Sequence, residues 1–253
     1  MAIIEAHGIS KHFRIPSVRR DTFREHVLDF FRSRPSETLT VVDSVSFEIQ
    51  RGETIGIMGR NGCGKSTLLK IVSGIYQPDD GRLIVRAPIT PILELGVGWN
   101  SELDAIDNIC LLGSVMGMSL QEIRAAMDEI LAFAELERFA NLKLQHYSSG
   151  MASRLAYSVA FKAVREILVL DEIFAVGDAG FKARCVDRYR TLSAAGHTVV
   201  VVSHDPRIVG TFCPRALLLD GGRIILDGTG AEVAEAYLQL LLQTSTHRQG
   251  AGS

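Results

Sequence analysis

The loop GRNGCGKST, residues 59–67, limits what this chain can fold into more than any other stretch of its sequence. Apolar residues precede it at 54–58, where a short strand is predicted, and a helix is predicted from about residue 65 to 73. The loop matches the pattern G-x-x-x-x-G-K-[ST], and a strand before it with a helix after it is the context that this pattern requires. We therefore predict an α/β fold in which this loop carries the main site.

The chemistry of the loop points to phosphate. Its glycines let the backbone curl so that successive N–H groups face inward, and the following helix directs its positive end to the same place. Lys65 would add a full charge between β- and γ-phosphates, and the Ser66 hydroxyl is a ligand for Mg²⁺. The alternative is a glycine-rich turn that occurs by chance. The predicted cofactors are ATP and Mg²⁺, and the loop residues predicted to contact them are Gly59, Asn61, Gly62, Cys63, Gly64, Lys65, Ser66 and Thr67.

Two further strand ends carry candidate catalytic groups. The apolar strand ILVL at 167–170 leads into Asp171 and Glu172. Asp171 is a candidate to hold the metal through water, and Glu172 is a candidate to polarise an attacking water. Taken alone, two acids at a strand end are about as often a solvated acidic turn as a catalytic site. The strand predicted at 198–202 leads to His204; a lone histidine is more often structural, but ligands of such sheets gather at the carboxyl ends of the strands.

Strand-like and helix-like stretches alternate along the chain, which indicates a parallel sheet covered by helices on both faces. Strands are predicted at 2–14, 39–49, 54–58, 82–85, 89–93, 167–170, 198–203 and 215–219, and residues 104–163 are mainly helical. An amphipathic helix is predicted within an insertion at about 16–38, because Phe23, Val27 and Phe30 recur at helical spacing. We predict a single domain over 1–253, with a last helix at about 232–243 and a frayed tail at 244–253.

Composition excludes several classes of protein. Charged residues make up 22% and hydrophobic residues 47%, which is unlike a disordered chain. The net charge of −2 gives no general attraction to nucleic acid, so no nucleic-acid partner is predicted. No apolar run approaches the roughly 18–20 residues that cross a bilayer, and the start MAIIEAHG is not a secretory signal. The four cysteines lack metal-site spacing, so we predict free, buried thiols in a cytoplasmic protein.

Together with YSSGM at 147–151, these motifs resemble the ATP-binding-cassette (ABC) family over essentially the whole chain. YSSGM is similar to the family signature LSGGQ; it keeps Ser148 and Gly150, which makes these two residues candidates for nucleotide contact, and departs at the other positions. A small polar turn there opens a helix whose N–H groups and positive end can bind a γ-phosphate. The resemblance implies a RecA-like P-loop NTPase core, an antiparallel β subdomain and an inserted α-helical subdomain, here at about 98–165, that carries the signature.

The resemblance also implies roles for particular residues. It implies a homodimer in which ATP is sandwiched between the glycine-rich loop of one copy and the signature turn of the other. Asp178 matches the D-loop aspartate of the family, and His204 matches the switch histidine that contacts the γ-phosphate, so Glu172 and His204 are the implied catalytic pair. Phe13 matches the aromatic residue that stacks on adenine, although an ordinary core role stays open for it.

One departure from the common family pattern indicates which branch of the family the chain resembles. Most transporters have a glutamine that touches Mg²⁺ after the strand near residue 92, and here Glu94 stands nearest that place, as a metal-ligand candidate beside Ser66 and Asp171. ELGVGW at 94–99 and DEIFAVGD at 171–178 are similar to the branch that exports polysaccharides such as capsule, O-antigen and teichoic acid. This implies an integral-membrane permease and a polysaccharide or its lipid carrier as partners, and a peripheral location on the cytoplasmic side of the inner membrane.

Other functions stay open from the sequence. The chain could serve a different ABC transporter, or act on ribosomes or DNA, although proteins of that kind typically carry two cassettes or a long coiled-coil insert. A purely regulatory cassette predicts the loss of Lys65, Glu172 or His204, and all three are present. The insertion at 16–38 would lie on the membrane surface or on the partner, or pack on its own domain.

Overall fold

The structure, a computed structural model, describes residues 1–15, 37–92, 99–171 and 178–250. Within these ranges the strands are β1 (Ala2–Ile15), β2 (Glu37–Gln50), β3 (Thr54–Gly59), β4 (Asp80–Val85), β5 (Ile89–Ile92), β6 (Ile167–Asp171), β7 (Thr198–Val202), β8 (Arg215–Asp220) and β9 (Arg223–Thr229). The α-helices are α1 (Lys65–Val72), α2 (Ala105–Val115), α3 (Leu120–Ala134), α4 (Ser149–Ala163), α5 (Ala179–Ala194), α6 (Pro206–Phe212) and α7 (Gly230–Gly250).

Six strands form the central sheet, in the order β5-β6-β7-β3-β8-β9. Neighbours from β5 to β8 run parallel, whereas β9 runs antiparallel to β8. Strands covered on both faces must be apolar along their whole length, and β7 is the run TVVVV, buried throughout. Its Val200 and Val202 face one core, while Val199 and Val201 face the other. The predicted parallel sheet is therefore confirmed.

Separate layers cover the two faces of this sheet. A second, antiparallel sheet with the strand order β2-β1-β4 shares one core with α1 and with residues of the central sheet such as Ile57 and Val200. Helices α4, α5, α6 and α7 contribute to the core on the other face, where the fully buried Phe181 lies. The loop that carries the glycines joins β3 to α1, so it lies where the two sheets meet.

Helices α2 and α3 build a core of their own with one side of α4. Helix α4 belongs to two cores, since Leu155 and Val159 face α2 and α3 while Tyr157 and Phe161 face the central sheet. Helix α3 begins with a capping box between Ser119 and Glu122, which defines its start. The fold is thus a P-loop α/β core with an antiparallel β subdomain and an inserted α-helical subdomain, as the sequence predicted.

Several elements differ from the predictions. Strand β2 begins at Glu37, two residues before its predicted start, and so includes the last two residues of the predicted insertion at 16–38. The helix predicted within that insertion falls on residues 16–36, which lie outside the described residues. Strand β9 was not predicted; it pairs with β8 through a turn in which Gly221 (φ +53°) and Gly222 (φ +81°) take left-handed conformations. Helix α7 runs from Gly230 to Gly250, so it extends beyond the predicted end near residue 243.

The four cysteines are free thiols in the described structure. Cys63, Cys185 and Cys213 are buried, as predicted, whereas Cys110 is half-buried. Burial raises the pKa of the Cys185 and Cys213 thiols to about 12, so both stay protonated and unreactive at neutral pH. In the described parts of the chain, none of the helices combines the length and the apolar character needed to span a membrane.

Candidate functional site

Three neighbouring strands, β6, β7 and β3, end at the same edge of the central sheet. Their register aligns Asp171 with Val202, and Val202 with Ile57. Because adjacent strands lie about 4.8 Å apart, the ends of β6 and β3 are about 10 Å apart across β7. The glycine-rich loop follows β3, and His204 follows β7 by two residues. The structure therefore brings the loop, Asp171 and His204 to one edge of the sheet.

The backbone of the loop turns sharply before α1. Gly62 has φ +82° and Gly64, which caps the helix, has φ +106°, both in the region that favours glycine. Lys65 then reaches back across the loop, where its Nζ donates hydrogen bonds to the carbonyl oxygens of Gly59 and Arg60, each at 2.8 Å. The side chain is only 8% exposed. The charge of Lys65 is thus held at the mouth of the loop.

Distant segments of the chain hold the loop from outside. A Cβ on Gly64 would lie 2.4 Å from the carbonyl oxygen of Val41 on β2, and a Cβ on Gly59 would lie 2.2 Å from that of Leu219 on β8. The N–H of Gly222, in the β8–β9 turn, donates to the carbonyl oxygen of Cys63 at 3.1 Å. Two strands and the β8–β9 turn therefore define the space in which the loop can lie.

These contacts separate two glycines that the sequence pattern treats alike. Gly64→Ala places a methyl group against the Val41 carbonyl in addition to a strained φ, so we expect it to lower the free energy of unfolding by about 3 kcal/mol or more. Gly62→Ala meets no atom of the described residues within 4 Å and is expected to cost only the strain, about 1–2 kcal/mol. Urea denaturation of both variants measures the difference, and equal losses would contradict this account of the loop.

The remaining loop residues differ in their exposure. Asn61 and Ser66 are exposed, and Thr67 is half-buried. Cys63 is buried, and burial raises the pKa of its thiol, so Cys63 contributes packing and its backbone rather than a thiolate. Ser66 therefore offers an accessible hydroxyl in the first turn of α1.

The backbone around His204 is fixed by short-range hydrogen bonds. Ser203 is buried; its N–H donates to the carbonyl oxygen of Ile57 at 3.3 Å, and its Oγ accepts from the N–H of Asp205 at 3.0 Å. The Asp205 carboxylate caps α6 and bonds Arg207, whose hydrogen bond holds the pKa of Asp205 below its usual value. His204 is thus carried, exposed, on a short turn tied to β3 and α6.

Phe13 lies on β1, outside the glycine-rich loop itself. Its ring packs edge-on against Tyr76, with ring centroids 6.0 Å apart, and the N–H of Tyr76 donates to the carbonyl oxygen of Lys70 near the end of α1. In the β1–β2 register Phe13 lies opposite Leu39, two residues before the Val41 whose carbonyl oxygen borders Gly64. The ring is half-buried, which leaves both its predicted stacking role and a packing role open.

The signature turn opens α4. Ser148 caps this helix, since its Oγ accepts a hydrogen bond from the N–H of Met151 at 3.2 Å, and the residue is exposed. Gly150 lies in the first turn, and among the described residues the nearest atom to a Cβ there would be the Ser148 Oγ, at 3.8 Å. The part of the fold that the structure describes therefore gives no reason for a glycine at position 150.

A shallow cleft of about 450 Å³ joins the signature turn to Asp178. Asp178 caps α5 by accepting from the N–H of Phe181 at 2.9 Å, and it forms an ion pair with Arg154 of α4. The Phe181 N–H and the Arg154 charge hold the pKa of Asp178 below its usual value, so it is ionised. None of the described residues that line the cleft belongs to the glycine-rich loop; they are Glu135, Leu136, Phe139, Ser148, Gly150, Met151, Arg154 and Asp178.

Two predicted site residues lie outside the described ranges. Glu94 belongs to residues 93–98, and Glu172 belongs to residues 172–177. For Asp171 the structure gives the backbone position at the end of β6. The roles predicted for these three residues therefore stay predictions.

Sequence patterns missed the residues that support the site from a distance. Val41, Leu219 and Gly222 surround the glycine-rich loop, and Glu135 and Arg154 lie beside Asp178. The pair Gly221–Gly222 after an apolar strand is a hairpin signal that predicts the β8–β9 turn. The other contacts join segments far apart in the chain and have no local signal.

The comparisons with known proteins agree with this fold. The profile of the ABC transporter family matches residues 42–175, which is more than half of the chain. The chain belongs to the ABC transporter family, and as an ATP-binding cassette of that family it binds a nucleotide.

Curated relatives indicate which members of the ABC transporter family the chain is similar to in sequence. The chain is 38% identical to the O-antigen export system ATP-binding protein RfbB of Myxococcus xanthus over 95% of its own length and 56% of that protein. It is 34% identical to RfbB of Klebsiella pneumoniae, over 79% of the chain and 81% of that protein. It is 37% identical to the teichoic acids export ATP-binding protein TagH of Listeria monocytogenes, over 81% of the chain and 61% of that protein. The chain thus spans little more than half of the Myxococcus relative.

Solved structures share the fold. A dimeric ATP-binding cassette in a post-hydrolysis state with ADP and Pi superposes with a TM-score of 0.72 at 24% identity, covering 89% of this chain and 98% of that one. The ATP-binding subunit of an ABC transporter superposes with a TM-score of 0.73 at 21% identity, covering 93% of each chain.

Proposed function

We propose that this chain is the ATP-hydrolysing subunit of an ABC transporter that powers export of a lipid-linked polysaccharide across the cytoplasmic membrane. One observation carries the ATPase part: Lys65 lies across a glycine-rich loop at the sheet edge where the strand of Asp171 and the turn of His204 also end. The polysaccharide part is supported by relatives named for the export of two different polymers, O-antigen and teichoic acid.

The β- and γ-phosphates of ATP would be bound by the glycine-rich loop. Lys65 already bonds two carbonyl oxygens there, and phosphate oxygens are stronger acceptors for the same ammonium because they are charged. The first N–H groups of α1 lack partners within the helix and point to the same place. Phe13 would stack on the adenine, beside Tyr76.

The donor set fits Mg²⁺. Ser66 is an exposed hydroxyl in the first turn of α1, and Asp171 ends the strand two places along the sheet. Hydroxyl and carboxylate oxygens, with Glu94 as a further candidate, are the ligands that this ion prefers. When bound, Mg²⁺ would neutralise charge that develops between the β- and γ-phosphates.

Hydrolysis would follow with Glu172 as the base. Its carboxylate would take a proton from a water molecule whose oxygen attacks the γ-phosphorus, and the bond to the β–γ bridging oxygen would break to leave ADP and inorganic phosphate. His204, on the turn after β7, would donate a hydrogen bond to a γ-phosphate oxygen and stabilise the charge that builds there.

Each nucleotide would need two copies of the chain. The cleft with Ser148 and Gly150 holds none of the loop residues, so we propose that it meets the glycine-rich loop of a second copy, with ATP between them. Gly150 supports this proposal, since the glycine is not needed by its own chain and would be needed where another chain approaches closely. Asp178, on the rim of the same cleft, would face the partner as well.

Closure of the dimer would be transmitted to an integral-membrane permease. The docking segment would include Glu94, and the chain would lie as a peripheral subunit on the cytoplasmic side of the membrane. The polysaccharide or its lipid carrier would be handled by the permease, and no nucleic acid would be involved. Coupling is reciprocal, so the permease and its cargo would also change the affinity of the chain for ATP.

Glu172→Gln tests the hydrolytic part of the proposal. The amide cannot accept the proton from water, so we expect hydrolysis to fall on the order of 100-fold or more while ATP affinity stays within a few-fold. Release of phosphate from the purified protein gives the rate, and equilibrium binding of a fluorescent ATP analogue gives the affinity. The matched control is Glu166→Gln on the amino-terminal side of β6, where the carboxylate pairs with Arg51, and it should hydrolyse ATP normally. Hydrolysis near the wild-type rate in Glu172→Gln would exclude this residue as the base.

The same variant tests the transport part in cells. Where Glu172→Gln is the only copy, polysaccharide made in the cytoplasm should accumulate inside, and surface polysaccharide should be lost. Cells with the Glu166→Gln control should export normally. Normal surface polysaccharide with an inactive ATPase would leave the enzyme assignment intact and remove polysaccharide export from it.

A further inference from the structure

Glu135 forms the centre of an ion-pair network between three helices. It follows α3 directly and has φ +58°, ψ +42°, a left-handed conformation that is uncommon for a residue other than glycine. Its Oε2 accepts from Arg154 of α4 at 2.7 Å, and its Oε1 lies 2.8 Å from a guanidinium nitrogen of Arg184 on α5. One carboxylate therefore joins the end of α3 to both of the helices that follow it.

Arg154 extends this network to the start of α5. One of its terminal nitrogens bonds Glu135, and the other pairs with Asp178. The guanidinium groups of Arg154 and Arg184 lie 5.6 Å and 5.5 Å from the ring centroid of Phe181, a fully buried residue one turn into α5. The two arginines are thus held on one ring as well as by Glu135, which leaves Arg154 little freedom.

The network connects the two parts of the chain that would face the nucleotide of a second copy, the signature turn and Asp178. Arg154 stands six residues after Ser148 on the helix that the signature turn opens. Asp178 stands six residues after Glu172, at the point where the chain enters α5. The position of Asp178 relative to the signature turn is therefore set by Arg154, and that of Arg154 by Glu135.

The backbone at position 135 shows what its side chain is for. A glycine would take the left-handed conformation after α3 without strain, and many helices end on one. The turn alone thus favours glycine, and the glutamate contributes only its carboxylate, both of whose oxygens are bound.

We propose that Glu135 is a positioning residue for ATP hydrolysis, which acts through Arg154 to hold Asp178 in line with the signature turn of the same copy. This inference rests on the proposed function, because it assumes that the cleft meets the ATP of a second copy. Although Glu135 lines the same cleft, this scheme gives it no contact with the nucleotide or with the attacking water. Its loss should therefore lower kcat and leave KM for ATP nearly unchanged.

Glu135→Gln removes the charge and keeps the shape, and Glu135→Gly removes the carboxylate and relieves the strained backbone. We expect both full-length variants to lower kcat about tenfold, with KM within twofold and an unchanged melting temperature. The matched control is Glu129→Gln, which breaks the ion pair between Glu129 of α3 and Lys162 of α4 without touching α5. This ion pair joins the same two helices, α3 and α4, so the Glu129→Gln variant should keep the wild-type kcat. Equal kcat values for Glu135→Gln and Glu129→Gln would overturn the proposal.

A second background tests whether Glu135 acts through Asp178. Asparagine can still cap α5, so Asp178→Asn removes the pairing charge alone. In that background Glu135→Gln should lower kcat no further, whereas a second tenfold loss would mean that Glu135 acts by another route and would overturn the proposal. If the wild-type chain releases no more phosphate than Lys65→Ala, the proposed function itself fails. Wild-type hydrolysis with an unaffected Glu135→Gln rejects only this inference.

Discussion

Lys65→Ala is expected to lower ATP hydrolysis about 100- to 1,000-fold, which is the usual loss when one charge-stabilising donor is removed from an active site. The ammonium already lies in the mouth of the loop, 2.8 Å from the Gly59 and Arg60 carbonyl oxygens, and it is almost wholly shielded from water. An incoming phosphate would find this charge in place. Removing it leaves the N–H groups of the loop, which bind phosphate but supply no full charge.

The fold should tolerate this change. Two carbonyl oxygens lose a donor, which costs about 1–3 kcal/mol if water does not replace it, and the glycine-rich loop keeps its contacts with Val41, Leu219 and Gly222. Phosphate release and the melting temperature should both be measured. Lys162→Ala is the control, because Lys162 lies on α4 and pairs with Glu129 there. Hydrolysis by Lys65→Ala within threefold of the control would show that the loop is not the catalytic phosphate site.

Gly150→Asp is expected to abolish hydrolysis without disturbing the fold. A side chain at this position has room within its own chain, and an acid in the first turn of α4 is favourable for the helix. The same acid would face the γ-phosphate bound to a second copy and repel it, so that nucleotide site could not close. Leu120→Asp is the control, since it places an acid at the exposed first residue of α3, and it should hydrolyse ATP normally.

Mixing two inactive variants gives the sharper test of a two-chain site. In a dimer of one Lys65→Ala copy and one Gly150→Asp copy, one nucleotide site combines the intact loop of the second with the intact signature turn of the first. The other site carries both defects. Random exchange of subunits should therefore restore roughly a quarter of the wild-type rate if the two sites work independently. No recovery from a mixture whose subunits exchange would argue that loop and signature turn serve one chain.

Much of this fold is predictable because many of its elements have a pattern in consecutive residues. The run TVVVV of β7 predicts a strand buried on both faces, and the loop at 59–67 predicts the strand, turn and helix around it. Strand β9 is harder to predict because RIILDGT alternates weakly on a half-exposed edge of the sheet, so its main signal is the glycine pair of the hairpin turn before it. Strand β2 begins earlier than predicted because Glu37 and Thr38 pair with Ile15 and Arg14, a contact that no local pattern indicates.

The site divides in the same way. Lys65, His204 and Ser148 can be proposed as site residues from the sequence because each belongs to a short motif at a strand or helix end, and their roles stay predictions. The groups that hold them, such as Val41 beside Gly64 and Glu135 beside Arg154, lie far away in the chain and meet only on folding. A single sequence carries no signal for such pairs. The residues that surround a motif can therefore be identified only from the structure.

The contacts that hold the glycine-rich loop in place also affect how much free energy is available for binding a nucleotide. A loose glycine-rich segment would have to be ordered by its ligand, at about 1–2 kcal/mol of backbone entropy for each residue. Here the Val41 and Leu219 carbonyls, the Gly222 N–H and the Lys65 ammonium restrict the loop through contacts within the chain. Folding has already met the entropic cost, so the loop is preorganised and more of the energy of phosphate contact remains for binding.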